Sequence, residues 1–249
     1  MGIKKSNILI GLIIMLCIAF TAYEFLGLSL ISEKFKALIV PTFTLLYFVS
    51  VNRKSFYFTW FLILFSVSEL IVFSELLFDF NTMTDDEILK FDDFYYTSGN
   101  LLYIAAYIFL LIEVVKTFNL KAVLKNYKIH LVVLSALNVY IIYVLLTIVN
   151  PYVEDSFLFF IELIYNIVML LLLTFCLISY FYNDNKKSLF LFFGSVCLVF
   201  SEVIQVAYFY ITESENAFLN VAQTFLFILA FSFFYFQSKI RNKKVQFFA

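Results

Sequence analysis

Two glutamates, Glu69 and Glu202, stand in the middle of long apolar runs, "FSVSELIVF" (65–73) and "LVFSEVIQV" (198–206), and each follows a serine, Ser68 and Ser201. A carboxyl placed in hydrocarbon costs several kcal/mol or more, so such residues mark a pathway or a site rather than packing. Two carboxyls meeting in a dry pocket share one proton, because two like charges cannot both be desolvated at short range. A pair of this kind performs general acid–base chemistry with no metal and no covalent nucleophile. Asn100, Tyr103, Glu162 and Gln223 are further polar residues in apolar runs that could orient a substrate or water. Metal chemistry is poorly provided for: His130 is the only histidine, which argues against a zinc site built from several ligands. Cys17, Cys176 and Cys197 all fall in apolar runs and read as buried, inert thiols rather than a disulfide framework.

The elements that must carry these residues are membrane helices. Of 249 residues, 63% are hydrophobic and only 14% charged, far from the balance of a soluble domain. Crossing the hydrocarbon as a helix takes about 20 apolar residues. Eight runs qualify, at 7–30, 37–51, 55–78, 94–115, 129–149, 157–182, 188–212 and 217–237. The expectation is an all-α integral membrane protein, one domain over 1–249, built as an eight-helix transmembrane bundle. The second run is short, and Lys36 and Arg53 at its ends are expected to snorkel to the interfaces. The first is too long for a signal-peptide core and lacks a small-x-small cleavage site, so it reads as a helix. The opening "MGIKKS" fits a myristoylation pattern, which is read as chance in a chain with eight spans.

Orientation follows from where lysine and arginine lie. With the N-terminus inside, fourteen of the seventeen basic residues fall on the inner side and only Lys34, Lys36 and Lys90 on the outer. Acidic residues such as Asp85, Asp86, Glu87, Asp92 and Asp93 crowd the outer loops, where they read as a solvated face. Both termini are therefore expected in the cytoplasm, and the Lys- and Phe-rich, Gly-poor composition points to a bacterial inner membrane. The segments 81–93 and 239–249 are too short to fold as separate domains. Nothing in the chain points to nucleic acid. Oligomeric state is left open.

Counting at 1.5 Å per residue brings the polar groups to one depth. Glu69, Asn100, Tyr103, Glu162, Asn166, Glu202, Asn220 and Gln223 all fall roughly 8–15 Å below the outer interface. That implies a polar cavity in the outer half. Asn138, Asn166 and Ser66 read instead as interhelical glue. Ser68-Glu69 and Ser201-Glu202 lie on spans of the same direction, and the spans that follow carry Asn100-x-x-Tyr103 and Asn220-x-x-Gln223. This is a faint sign of a parallel repeat.

The order and spacing of these motifs resemble the YhhN-like lysoplasmalogenase family of eight-helix membrane proteins. "GSVCLVFSEVIQVAYF" (194–209) is similar to a seventh-helix segment of that family, with Ser201-Glu202 in the place of Ser-Asp. "LFSVSELIVF" is similar to a third-helix segment ending in Gly-Asp, with Ser68-Glu69 in that place. "GNLLYIAAY" resembles a fourth-helix His-Leu-x-Tyr-Ile stretch, with Asn100 at the histidine and Tyr103 retained. "NVAQTFLFILAFS" resembles the last helix, with Ala222-Gln223 matching its Ala-Gln. Pro41 matches a Lys-Pro in which Val40 replaces the lysine. Both family aspartates are thus glutamates here.

The resemblance implies hydrolysis of the vinyl ether bond of a lysoplasmalogen, giving a fatty aldehyde and a glycerophospho-alcohol, with no cofactor. Glu69 and Glu202 would be the catalytic acid/base pair. Ser68, Asn100, Tyr103, Glu162, Ser201 and Gln223 would bind the lysophospholipid substrate or water. Enol ethers hydrolyse through protonation on carbon and an oxocarbenium-like state, which is chemistry that two carboxyls can serve. Two other classes compete: a small proton-coupled transporter, whose carboxyls load and release protons, and a non-catalytic lipid-binding or sensor bundle. A ceramidase-like zinc hydrolase is disfavoured by the lone His130.

Overall fold

The computed structural model describes residues 5–78, 83–152, 156–212 and 216–240, which form helices and short connections with no strand among them. In chain order the helices are α1 (Lys5–Phe25), α2 (Ser29–Ala37), α3 (Ile39–Ser50), α4 (Phe56–Leu70), α5 (Asp85–Val115), α6 (Leu120–Asn126), α7 (Lys128–Val149), α8 (Ser156–Asn183), α9 (Lys186–Tyr210) and α10 (Ala217–Lys239). Seven are long and apolar enough to cross a membrane: α1, α4 with its extension to Leu76, α5, α7, α8, α9 and α10. Their outward faces are apolar, as lipid requires. Ile14 and Ile18 on α1 and Ile129, Val132 and Tyr143 on α7 are all well exposed.

The run expected as a second span, 37–51, is the exception. It becomes α3, twelve residues long, reaching ~18 Å at 1.5 Å per residue against a hydrocarbon core of about 30 Å. α3 is also the most enclosed segment, with Ile39, Val40, Leu46 and Tyr47 almost fully buried, because it packs between α1, α4 and α10. What precedes it is not a snorkelling end but the separate helix α2. The expected first span, 7–30, ends five residues early at Phe25. There Gly27 takes a left-handed φ of 73° and Leu28 N–H bonds back to Tyr23 O at 3.0 Å, a helix stop that glycine accepts without strain.

The opposite correction applies to α5. The expected span began at 94, whereas the helix begins at Asp85. Thr84 and Glu87 form a capping box, with Asp85 and Asp86 in the same first turn, and acidic groups there oppose the positive helix end. α5 therefore starts more than two turns before the expected span, whose first turn carries Tyr95 and Tyr96. α4 changes character where it passes Glu69: after Leu70 the chain tightens into a 3-10 segment, Ile71–Leu77.

Cross-helix hydrogen bonds give the relative directions. Ser68 Oγ donates to Gly99 O (2.9 Å) and Ser55 Oγ to Glu113 Oε2 (2.5 Å), so α4 and α5 are antiparallel. Asn138 Nδ2 donates to Thr174 Oγ1 (2.8 Å) and Tyr127 OH to Phe181 O (3.1 Å), so α7 and α8 are antiparallel as well. The tightest approach is α9 on α10. A side chain on Gly194 would put its Cβ 2.5 Å from Phe234 Cε1, so glycine is what lets the Phe234 ring lie against α9. The core beneath the site is aromatic. Phe61 stacks on Phe231 (5.9 Å), and Phe65 packs on Tyr103 (4.6 Å) and Phe231 (4.9 Å).

Candidate functional site

Above that aromatic floor lies a cavity of about 510 Å³, within the range of small-molecule sites. Glu69, Ser68, Asn100, Tyr103, Glu162, Asn166, Glu202 and Gln223 all line it. The structure thus brings four helices' worth of polar groups from one computed depth onto one space, α4, α5, α8 and α9, together with α10.

Glu69 sits in the last turn of α4, where its Oε1 accepts the Tyr103 hydroxyl at 2.7 Å. Tyr103 and Tyr107 are one turn apart on α5 and so share a face. Tyr107 OH donates to Glu202 Oε1 at 3.3 Å and lies 3.3 Å from Tyr165 OH of α8. Each glutamate is therefore served by a tyrosine of α5. Glu162 forms a third acidic station: Tyr96 OH donates to its Oε2 at 2.6 Å and Asn166 Nδ2 to its Oε1 at 2.9 Å. Asn100 lines the cavity while its Nδ2 bonds back to Tyr96 O at 3.0 Å.

The two serines act differently from the glutamates they precede. Ser68 Oγ bonds Gly99 O, and Ser201 Oγ bonds Gln223 O at 3.0 Å. In both pairs the hydroxyl ties its helix to a carbonyl of the next spanning helix, and the adjacent glutamate faces the cavity. Ser201, fully buried, does not line the cavity itself. Asn220, placed in the layer by depth, does not line it either; its Nδ2 donates to Glu24 Oε1 of α1 at 2.8 Å. Depth along a helix says nothing about rotation around it, and Asn220 faces α1.

Several lining residues were not expected. Glu33 and Lys36 come from α2, Glu75 from the 3-10 segment, Tyr95 and Tyr96 from the outer half of α5, and Gln205 and Tyr210 from α9. Lys36 Nζ donates to Gln223 Oε1 at 2.8 Å, so the lysine expected at the interface points into the site. Gln223 Nε2 in turn donates to Ser201 Oγ (3.2 Å) and Gln205 Oε1 (3.1 Å). Burial lowers the Lys36 ammonium from the ordinary lysine range, and Glu69, then Glu33, Glu202 and Glu24, act against that. The signal for Glu33 and Lys36 was their i, i+3 spacing, which puts both on one face of a helix, although the segment read as a loop.

α2 is held in place from behind. Glu24 accepts Ser32 Oγ at 2.5 Å as well as Asn220, joining α1, α2 and α10 in one buried knot. Asn138 and Ser66 link neighbouring helices away from the cavity, Ser66 Oγ lying 2.7 Å from Thr44 Oγ1. His130 is exposed and edges the rings of Tyr127 and Phe181. Among the described residues no cluster of His, Cys, Asp and Glu is arranged to hold a metal ion.

The fold and site define a class: a helical membrane protein with a polar, acidic chamber lodged within its apolar bundle. No known protein family, curated protein or solved structure matches the chain.

Proposed function

We propose that this protein is a membrane-embedded hydrolase of the vinyl ether bond of a lysolipid, a divergent relative of the YhhN-like lysoplasmalogenases. Glu69 and Glu202 are its acid/base pair. The observation that carries this reading is that both carboxyls, 133 positions apart, line one cavity and each accepts a tyrosine hydroxyl from the same face of α5. Proton donation to the outer vinyl carbon gives an oxocarbenium ion, water adds to it, and the hemiacetal collapses to a fatty aldehyde and the glycerophospho-alcohol. Asn100, Tyr103, Glu162 and Gln223 orient the substrate or the water. The acyl-like tail lies among the Phe- and Leu-rich helices, and the outer half of α5 receives the head group.

The same reading treats α3 as an eighth, short crossing with α2 at the outer interface. Lys36 to Gln223 and Tyr235 to Ser50 (2.9 Å) make α3 parallel to α10, and Glu24 to Asn220 sets the end of α1 beside the start of α10. An even number of crossings returns both termini to one side. Lys116, Lys121, Lys125, Lys128, Lys186 and Lys239 gather at the helix ends away from the cavity, which supports a cytoplasmic placement of that end in a bacterial inner membrane.

The test is aldehyde release from lysoplasmalogen by the purified protein and by Glu69→Gln and Glu202→Gln. Each substitution is expected to lower the rate by at least ~100-fold, the scale of acid–base assistance. Equal release from all three removes the catalytic assignment. A proton-coupled carrier is the second reading, favoured by five glutamates and one lysine on a single cavity. It requires pH-driven solute uptake into proteoliposomes with the lipid unchanged.

A further inference from the structure

The far end of α5, roughly 20 Å along the helix from Tyr103, carries a second concentration of charge, and here the sign is reversed. Between Glu113 and Glu154 the chain has no aspartate or glutamate, yet it has Lys116, Lys121, Lys125 and Lys128. Lys116 is engaged, its Nζ lying 3.8 Å from the centre of the Tyr57 ring. Lys121, Lys125 and Lys128 are exposed, and none of the three forms an ion pair among the described residues. Lys121 and Lys125 stand four apart on α6, so they share a face and repel each other. The neighbouring turn does not neutralise them. Asn183 Nδ2 reaches Thr117 Oγ1 at 3.4 Å, which sets the α8–α9 turn against the end of α5. That turn adds Lys186 and Lys187 and a single carboxyl, Asp184.

The opposite face of α6 is apolar and only partly used. Val123 is buried and joins the core. Asn119 Oδ1 accepts the Lys121 and Ala122 amides at 3.0 and 3.4 Å, and Tyr127 OH ties the other end to Phe181 O at 3.1 Å. α6 is therefore a firmly seated helix. Leu120 and Leu124, one turn apart beside Val123, nevertheless remain 43% and 57% exposed, and Ile129 at the start of α7 is 77% exposed. α6 joins the end of one long apolar helix to the start of another, so its seven residues run along the membrane surface. A helix there with leucines on one side and lysines on the other puts the leucines among acyl chains and the ammonium groups at phosphate level. Clustered lysines at that level attract anionic head groups.

We propose that α6 is an interfacial helix that binds an anionic phospholipid: Lys121, Lys125 and Lys128 hold its phosphate, and Leu120, Leu124 and Ile129 receive the upper part of its acyl chains. The net negative charge of the lipid is what selects it. A zwitterionic lipid with the same chains makes the apolar contact but leaves the lysines uncompensated.

The chain has one tryptophan, Trp60, so a fluorescent reporter can be moved to the patch. The protein with Trp60→Phe and Leu124→Trp is reconstituted in mixed bilayers, and its quenching by phosphatidylglycerol brominated near the top of the chains is compared with quenching by brominated phosphatidylcholine. Phosphatidylglycerol is expected to be favoured several-fold, and the preference to be largely lost in about 1 M salt. With the reporter at Val139→Trp instead, 67% exposed in the middle of α7, the two lipids are expected to quench equally. Combined Lys121→Gln, Lys125→Gln and Lys128→Gln is expected to bring the ratio at position 124 near one, while arginine at the same three positions keeps it. Equal quenching at position 124, the same preference at position 139, weak quenching by both lipids, or a preference that survives the glutamine substitutions overturns the proposal. If the glutamine variant does not fold, the salt titration decides alone.

Discussion

The ammonium of Lys36 donates a 2.8 Å hydrogen bond to the side-chain carbonyl of Gln223, joining two residues 187 positions apart. Through that contact a nine-residue helix too short to span anything becomes a wall of the cavity. Gln223 is the hub: it accepts from Lys36 and from Thr224 Oγ1 (3.1 Å) and donates to Ser201 and Gln205.

Gln223→Leu removes that hub while roughly keeping its volume. Lys36, Gln205 and Thr224 each lose a partner in a buried setting, at about 1–3 kcal/mol per unsatisfied group. Thermal unfolding in detergent is expected to shift down by several degrees. An unchanged melting temperature argues that water replaces the amide.

Gly194→Ala forces a Cβ to within 2.5 Å of the Phe234 ring. Overpacking of this kind costs about 1–3 kcal/mol. Melting of the single variant is expected to fall, and Gly194→Ala combined with Phe234→Leu to recover most of the loss. Recovery absent from the double variant places the strain elsewhere.

Glu24 is 5% exposed and satisfied by two neutral donors. Glu24→Gln is expected to be mild, since an amide still bonds Ser32 and can meet Asn220. Glu24→Leu orphans both and frees α2, and a bulky thiol reagent is then expected to reach a cysteine placed at Lys36 several-fold faster. Equal reaction rates in the two backgrounds separate α2 placement from Glu24. By contrast Asn138→Leu, which removes the bond to Thr174 Oγ1 and a longer one to Leu170 O (3.4 Å), is expected to cost about 0.6 kcal/mol per bond.

Topology is open to a direct measurement. Reporter fusions at either terminus are expected to give the same, cytoplasmic, signal. Opposite signals leave α3 as a re-entrant helix and the crossings at seven.

Much of the architecture was legible before any coordinates. Helical spans follow from run length, because lipid leaves the backbone no partner but itself. The depth of Glu69 and Glu202 follows from a constant rise per residue, and their convergence on one cavity is what such a layer implies. The start of α5 was written in Thr84 and Glu87 but was taken for loop, because acidic residues also suit a solvated face. The stop of α1 depended on Gly27, one of only five glycines, whose left-handed turn is a tertiary choice as much as a local one.

From its residues alone the chain determined that it is a membrane bundle and that two glutamates lie at matching depth in it, since both are questions of length and hydropathy along one axis. Only the tertiary structure decided which side chains turn toward the cavity, sending Asn220 to Glu24 and Lys36 to Gln223. Rotation about a helix and the seat of a short one are set by packing against helices far away in the chain, and one-dimensional spacing carries no record of those partners.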